Sequence, residues 1–140
     1  MAELIVALDF NKQSHALSLA RQLQKEVKWV KVGLELYTRY GPQVVTELKT
    51  LGFKIFLDLK FLDIPNTVQG AVCSATALGI DMLTVHLLGG GAMIRAALKG
   101  REQGSEASHN FTTSQLPLIL GVTILTSLGK EDLPWPETRE

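Results

Sequence analysis

Five short apolar runs recur along the chain, beginning near residues 4, 29, 54, 81 and 117, with amphipathic stretches in the intervals. A repeat of roughly 25 residues, apolar run then helical stretch, is the pattern of βα units and predicts a parallel sheet covered by helices. The first run, Leu4-Ile5-Val6-Ala7-Leu8, is continuous rather than alternating, as expected of a strand buried on both faces. The others span residues 29–33, 54–59, 81–86 and 116–124. Ser14 is placed to cap a helix reaching about residue 24, and Gly41-Pro42 opens a second helix closed by Gly52. Asn66 or Thr67 caps a third that runs to Gly79, and Gly89-Gly90-Gly91 leads into a fourth ending near residue 101. The polar stretch 103–115 reads as a surface loop.

Two architectures share this pattern: an open doubly wound sheet and the (β/α)8 TIM barrel. The dinucleotide fingerprint GxGxxG is missing after the first strand, which removes the usual chemistry of the doubly wound sheet. The glycine triplet at 89–91 is either a phosphate cradle or a tight turn before a helix; without a Walker Lys-Ser/Thr partner the turn is the better reading. At 140 residues, 46% hydrophobic and 20% charged, the chain is expected to form a single globular domain over 1–140. Fourteen basic residues balance fourteen acidic ones, so a basic nucleic-acid surface is not expected. The apolar run at 4–8 is too short for a membrane span or a signal-peptide core. Cys73 stands alone, which rules out an internal disulfide or a cysteine-built metal cluster, and it reads as a small buried hydrophobe. A reduced, soluble, cytoplasmic protein is the expectation.

In a parallel α/β sheet the working face lies at the carboxyl ends of the strands. Asp9 ends the first strand, Lys31 sits on the second, Asp58-Leu59-Lys60 ends the third with Asp63 just beyond, His86 ends the fourth, and Thr123, Thr126 and Ser127 follow the fifth. Asp58 and Lys60 are two apart, so strand alternation directs both to one face. If that face lines a barrel, Asp9, Asp58 and Asp63 share one mouth with Lys31 and Lys60. Burying such a set is costly, and chemistry explains it better than stability does. Alternating charges also keep each lysine protonated, as a general acid requires. Taken singly, each residue has a plainer role: Asp9 a helix cap, Lys31 a side chain snorkelling at a sheet edge, Asp58 and Lys60 an exposed ion pair. His86 reads as a core histidine or one behind the site, and His15 and His109 make no metal pattern.

The pieces Val6-Ala7-Leu8-Asp9, Lys31-Val32-Gly33, the unbroken run from Phe56 through Asp58-Leu59-Lys60-Phe61-Leu62-Asp63-Ile64-Pro65-Asn66-Thr67 to Val68, Val85-His86, and Val122-Thr123-Ile124-Leu125-Thr126-Ser127 occur in this order. Together they resemble the orotidine 5′-monophosphate decarboxylase family, and the run from Asp58 to Val68 is the most specific part. The resemblance implies a (β/α)8 barrel and a decarboxylation of orotidylate to uridylate that needs neither cofactor nor metal. It implies Lys60 as proton donor to C6 of the pyrimidine, Asp58 against the substrate carboxylate, and Lys31 and Asp9 on the ribose hydroxyls. Asp63 and Thr67 would reach the neighbouring site of a homodimer, Ile64 would join the substrate-binding residues, and Thr126 and Ser127 would contact the nucleotide. Sugar-phosphate decarboxylases and synthases of the same superfamily share a related Asp-x-Lys-x-x-Asp motif, at Asp58, Lys60 and Asp63. They use Mg²⁺ and carry an acidic residue near the position of Lys31, so Lys31 with Ile64-Pro65-Asn66-Thr67 favours the orotidylate enzyme.

A complete barrel needs about 250 residues, and its phosphate site usually lies after strands seven and eight. Five strands alone would expose sheet edges and an apolar barrel wall. The expectation is an amino-terminal portion of a longer gene product, or a chain paired with a second polypeptide supplying the remaining strands. The non-enzymatic alternative is a barrel piece that keeps the charge cluster without turnover.

Overall fold

The computed structural model describes residues 2–107 and 116–132. Strands β1 (Ile5–Ala7), β2 (Trp29–Gly33), β3 (Lys54–Phe61), β4 (Met82–His86) and β5 (Leu118–Val122) form one sheet, parallel at every pairing, in the order β1-β2-β3-β4-β5. That order decides between the two architectures. A doubly wound sheet reverses its strand order at a switch point. Here every crossover steps the same way, and right-handed connections then place the helices on one face, as in a barrel wall. The fold is α/β, with four consecutive βα units and a fifth strand among the described residues, in the manner of a (β/α)8 barrel.

Helices α1 (Gln13–Leu23), α2 (Leu34–Tyr40), α3 (Pro42–Thr50), α4 (Pro65–Ala77) and α5 (Gly90–Ala107) follow the first four strands. Strand alternation sorts the sheet into two faces. Val30, Val32, Ile55, Leu57, Leu83 and Val85 are buried and pack in one cluster with Ala16 and Ala20 of α1, Val44, Val45 and Leu48 of α3, and Val68 and Val72 of α4. Each fully buried valine or leucine contributes roughly 1.5–3 kcal/mol. The intervening residues Lys31, Phe56, Asp58 and Thr84 face the other side, toward a barrel interior. α3 and α4 stop where sequence reasoning expects, because Gly52 (φ 90°) and Gly79 (φ 74°) adopt the left-handed conformation that ends a helix.

Several expectations are corrected. β1 is not buried on both faces: it is an edge strand whose Ala7 is exposed, and burial begins at Leu8. Ser14 does not cap α1; Lys12 occupies that place, and its carbonyl accepts the His15 and Ala16 amides. Neither Asn66 nor Thr67 caps α4, which begins at Pro65 behind Ile64, a position whose missing N–H costs a helix nothing. The fourth expected helix runs past residue 101 to Ala107, so 103–107 is helical rather than loop. Gly100 and Gly104 explain the extension: a Cβ on either would run into the Gln69 or Cys73 carbonyl oxygen of α4. That close approach docks the second half of α5 against α4. Cys73 is half-buried rather than fully enclosed. The seven-residue α2 has no counterpart in the expected pattern. The rest of the polar stretch, His109 and the Leu133-Pro134-Trp135-Pro136 segment lie outside the described residues.

Candidate active site

At the carboxyl ends of β1 to β3 four charged side chains form a chain of alternating sign. Lys31 Nζ donates to Asp9 Oδ1 at 3.1 Å and lies 3.8 Å from Asp58 Oδ2; Lys60 Nζ donates to Asp58 Oδ1 at 2.8 Å. Register brings them together. Ala7 pairs with Lys31, and Gly33 pairs with Asp58, so residues at neighbouring strand ends stand side by side. Asp58 is the shielded member, its side chain 14% exposed against 63% for Asp9. Burial pushes its carboxyl pKa up, but the hydrogen bonds from Lys60 and Thr84 and the charges of Lys60 and Lys31 outweigh this and leave it below the ordinary carboxylate value.

Simple alternation does not produce the Asp58–Lys60 contact. Leu57 pairs with Leu83 but Phe61 with Val85, so residues 58–60 bulge opposite a single β4 residue, Thr84. Within the bulge Lys60 has φ 52°, a left-handed conformation that costs a non-glycine residue about 1–2 kcal/mol. Its amide donates to Thr84 Oγ1 at 2.9 Å, and the Thr84 hydroxyl donates to Asp58 Oδ1 at 3.0 Å.

The other expected residues stand apart from this chain. Asp63 is exposed and its Oδ1 accepts the Ile64 amide; it forms no hydrogen bond or ion pair with the charged chain among the described residues. The hydrogen-bonded and ion-paired chain therefore links two carboxylates and two ammonium groups, and Asp63 stands in the turn that leads from β3 to α4. Ile64 and Thr67 are exposed beside it. Thr126 and Ser127 are exposed in the turn after β5. Between the ends of β4 and β5, Leu87, Leu88, Thr123 and Ile124 line an open hollow of about 370 Å³. His86 is buried at the end of β4, and its Nδ1 has no hydrogen-bond partner among the described residues.

The sequence pattern of the orotidine 5′-phosphate decarboxylase / HUMPS family matches residues 2–134. The chain belongs to that family. It is 48% identical over 136 residues to the orotidine 5′-phosphate decarboxylase of Maridesulfovibrio salexigens, covering 97% of this chain and 56% of that protein. With the Lawsonia intracellularis enzyme of the same name it shares 52% identity over 134 residues, covering 96% and 56%. The crystal structure of orotidine 5′-phosphate decarboxylase from Lactobacillus acidophilus superposes with a TM-score of 0.78 at 40% identity, covering 94% of this chain and 57% of that one. The chain thus spans about half the length of the curated relatives it matches.

Sequence reasoning missed two residues that touch this charged chain. Thr84 reads in sequence as an ordinary β-former, and only the bulge gives its hydroxyl work to do. Gly33 backs the Asp9–Lys31 pair: a Cβ there would stand 3.2 Å from Asp9 Oδ1 and 3.3 Å from Lys31 Nζ. The available signal was its place directly after Lys31-Val32 at a strand end. Among the described residues no helix is long and apolar enough to cross a membrane.

Proposed function

We propose that this chain carries the charged part of an orotidine 5′-phosphate decarboxylase site, which converts orotidylate to uridylate and CO2. The observation that carries the reading is the contiguous Asp9–Lys31–Asp58–Lys60 chain at the strand ends, in a sequence about half identical to proteins of that name. Asp58 lies against the substrate carboxylate and repels it in the ground state. When the C6–carboxylate bond breaks, CO2 leaves and its bonding electron pair stays on C6. The Lys60 ammonium offsets that charge and delivers a proton to C6; the neutral amine then regains a proton from water. A cation already held in place stabilises developing negative charge without reorganisation. Lys31 and Asp9 hold the ribose hydroxyls and keep the charges alternating. Thr126 and Ser127 contact the nucleotide beside the apolar hollow.

The exposure of Leu62, Asp63, Ile64 and Thr67 around the start of α4 supports a homodimer in which Asp63, Ile64 and Thr67 reach the neighbouring site. Leu118 and Leu120 leave β5 with an open apolar face, 56% and 41% exposed. We propose that further barrel strands cover it, from a longer gene product or a second polypeptide, and bring the phosphate site with them. The reading calls on no metal: Lys31 Nζ, 3.1 Å from Asp9 Oδ1 and 3.8 Å from Asp58 Oδ2, already sets a positive charge between the two carboxylates. Orotidylate and uridylate are polyanions that do not cross a membrane unaided, so a cytoplasmic enzyme would meet them where they are made. Release of CO2 from carboxyl-labelled orotidylate tests the reading. Turnover by the protein assembled with the remaining strands, lost in Lys60→Ala, is the expected result; near-normal turnover in Lys60→Ala overturns the proton-donor role.

A further inference from the structure

We propose that Thr84 is a positioning residue for the Lys60–Asp58 pair, its hydroxyl replacing a ladder carbonyl at the β3 bulge and tying that bulge to the Asp58 carboxylate. Three residues of β3 stand opposite Thr84 where a regular ladder would have one. A bulge of this kind strips backbone amides of their ladder acceptors, and a buried amide left without a partner is destabilising. The Lys60 amide escapes that fate by donating to Thr84 Oγ1 at 2.9 Å. The same hydroxyl then donates to Asp58 Oδ1 at 3.0 Å, the oxygen that also receives Lys60 Nζ at 2.8 Å. One oxygen atom thus fixes both ends of the pair: the left-handed backbone from which the Lys60 side chain departs, and the carboxylate at which it arrives.

The arrangement matters because a lysine ammonium is a point charge on a flexible four-carbon stem. Two anchors confine it better than one ion pair. Thr84 is 5% exposed, so solvent does not readily stand in for its hydroxyl. Its branched Cβ restricts χ1 in a strand, which holds the hydroxyl toward the bulge. The hydrogen bond from Thr84 also contributes to the lowered pKa of Asp58. The catalytic consequence of this role rests on the decarboxylase reading, whereas the positioning itself does not.

The test compares Thr84→Val, which keeps the shape and deletes the hydroxyl, with Thr84→Ser, which keeps the hydroxyl. Asp58 is followed through its side-chain ¹³C resonance in a pH titration, alongside orotidylate turnover. The expected result is an upward displacement of the Asp58 midpoint in Thr84→Val and a wild-type midpoint in Thr84→Ser. In an assembly that turns over, kcat of the valine variant falls on the order of 100-fold with little change in KM. Should Thr84→Val fail to fold, Thr84→Ala against Thr84→Ser makes the same comparison. An Asp58 midpoint unchanged by loss of the hydroxyl, or moved as far by serine as by valine, overturns the proposal. A shifted midpoint in a protein that, even assembled with the remaining strands, never decarboxylates orotidylate would sustain the positioning role and sink the decarboxylase reading.

Discussion

Lys60 reaches Asp58 through a 2.8 Å hydrogen bond even though the strand that carries both is bulged between them. The contact closes a chain of charges that begins at Asp9, and Lys60 is its outermost cation. Removing that cation leaves the most shielded carboxylate of the site with the Thr84 hydroxyl and a single ammonium, that of Lys31 at 3.8 Å. Lys60→Ala is therefore expected to reduce orotidylate decarboxylation by at least about 10²-fold, the low end for loss of a positioned general acid. Circular dichroism should show an intact fold, since no core residue is touched.

The parts of this arrangement that were legible in the sequence are those set by strand register. Apolar runs placed Asp9, Lys31 and Asp58 at the ends of neighbouring parallel strands, and parallel pairing does bring them together. For Lys60, strand alternation predicts the correct side for an incomplete reason. Alternation alone puts residues 58 and 60 on one face, but their contact uses a left-handed backbone and a hydroxyl on the next strand. Neither has a composition signal, because a threonine in a strand is ordinary and a left-handed lysine is rare. Helix ends failed for a related reason. Ser14 and Thr67 are good capping types, yet Lys12 and Ile64 hold those places without any side-chain cap. Tertiary packing, including the glycine contacts that carry α5 past residue 101, overrode local preference.

Acid should expose the stabilising role of Asp58. Its folded pKa lies below the ordinary value of 3.8, because the hydrogen bonds and lysine charges outweigh the burial that raises it. For a depressed carboxylate, the stabilisation is fully present above the unfolded pKa and is lost as pH falls through the folded one. Urea unfolding followed from pH 6 downward is expected to show the wild-type protein losing stability below about pH 4 more steeply than Asp58→Asn. Parallel curves for the two proteins would contradict the ion-pair geometry.

Gly33 offers a way to disturb the charged chain without touching a charge. Its backbone is extended (φ −97°, ψ −176°), so alanine meets no conformational penalty there. The added methyl would press on the ends of Asp9 and Lys31, which can shift by a few tenths of an ångström. Gly33→Ala should consequently cost little stability, within about 1 kcal/mol, since flexible side-chain ends give way more easily than a packed core. Uridylate affinity is the sensitive readout. Isothermal titration in a binding-competent assembly is expected to show a several-fold loss if Lys31 holds the ribose as proposed, because its ammonium would then be displaced from that contact.

Two glycines on one helix pair separate packing from propensity. At Gly104 of α5 a Cβ would meet the Cys73 carbonyl and stand 2.7 Å from Thr76 Cβ, both on α4. A backbone carbonyl cannot swing aside, so α4 and α5 must part. Overpacking of this sort costs roughly 1–3 kcal/mol. At Gly70 of α4 nothing lies within 4 Å of the added atom. Alanine there only gains helix propensity, worth about 0.5–1 kcal/mol. Thermal unfolding is expected to show Gly104→Ala falling below wild type and Gly70→Ala at or above it. If the Gly104 variant melted with the wild-type protein, the close docking that extends α5 to Ala107 would be wrong, and with it the reason the polar stretch after residue 102 begins as helix.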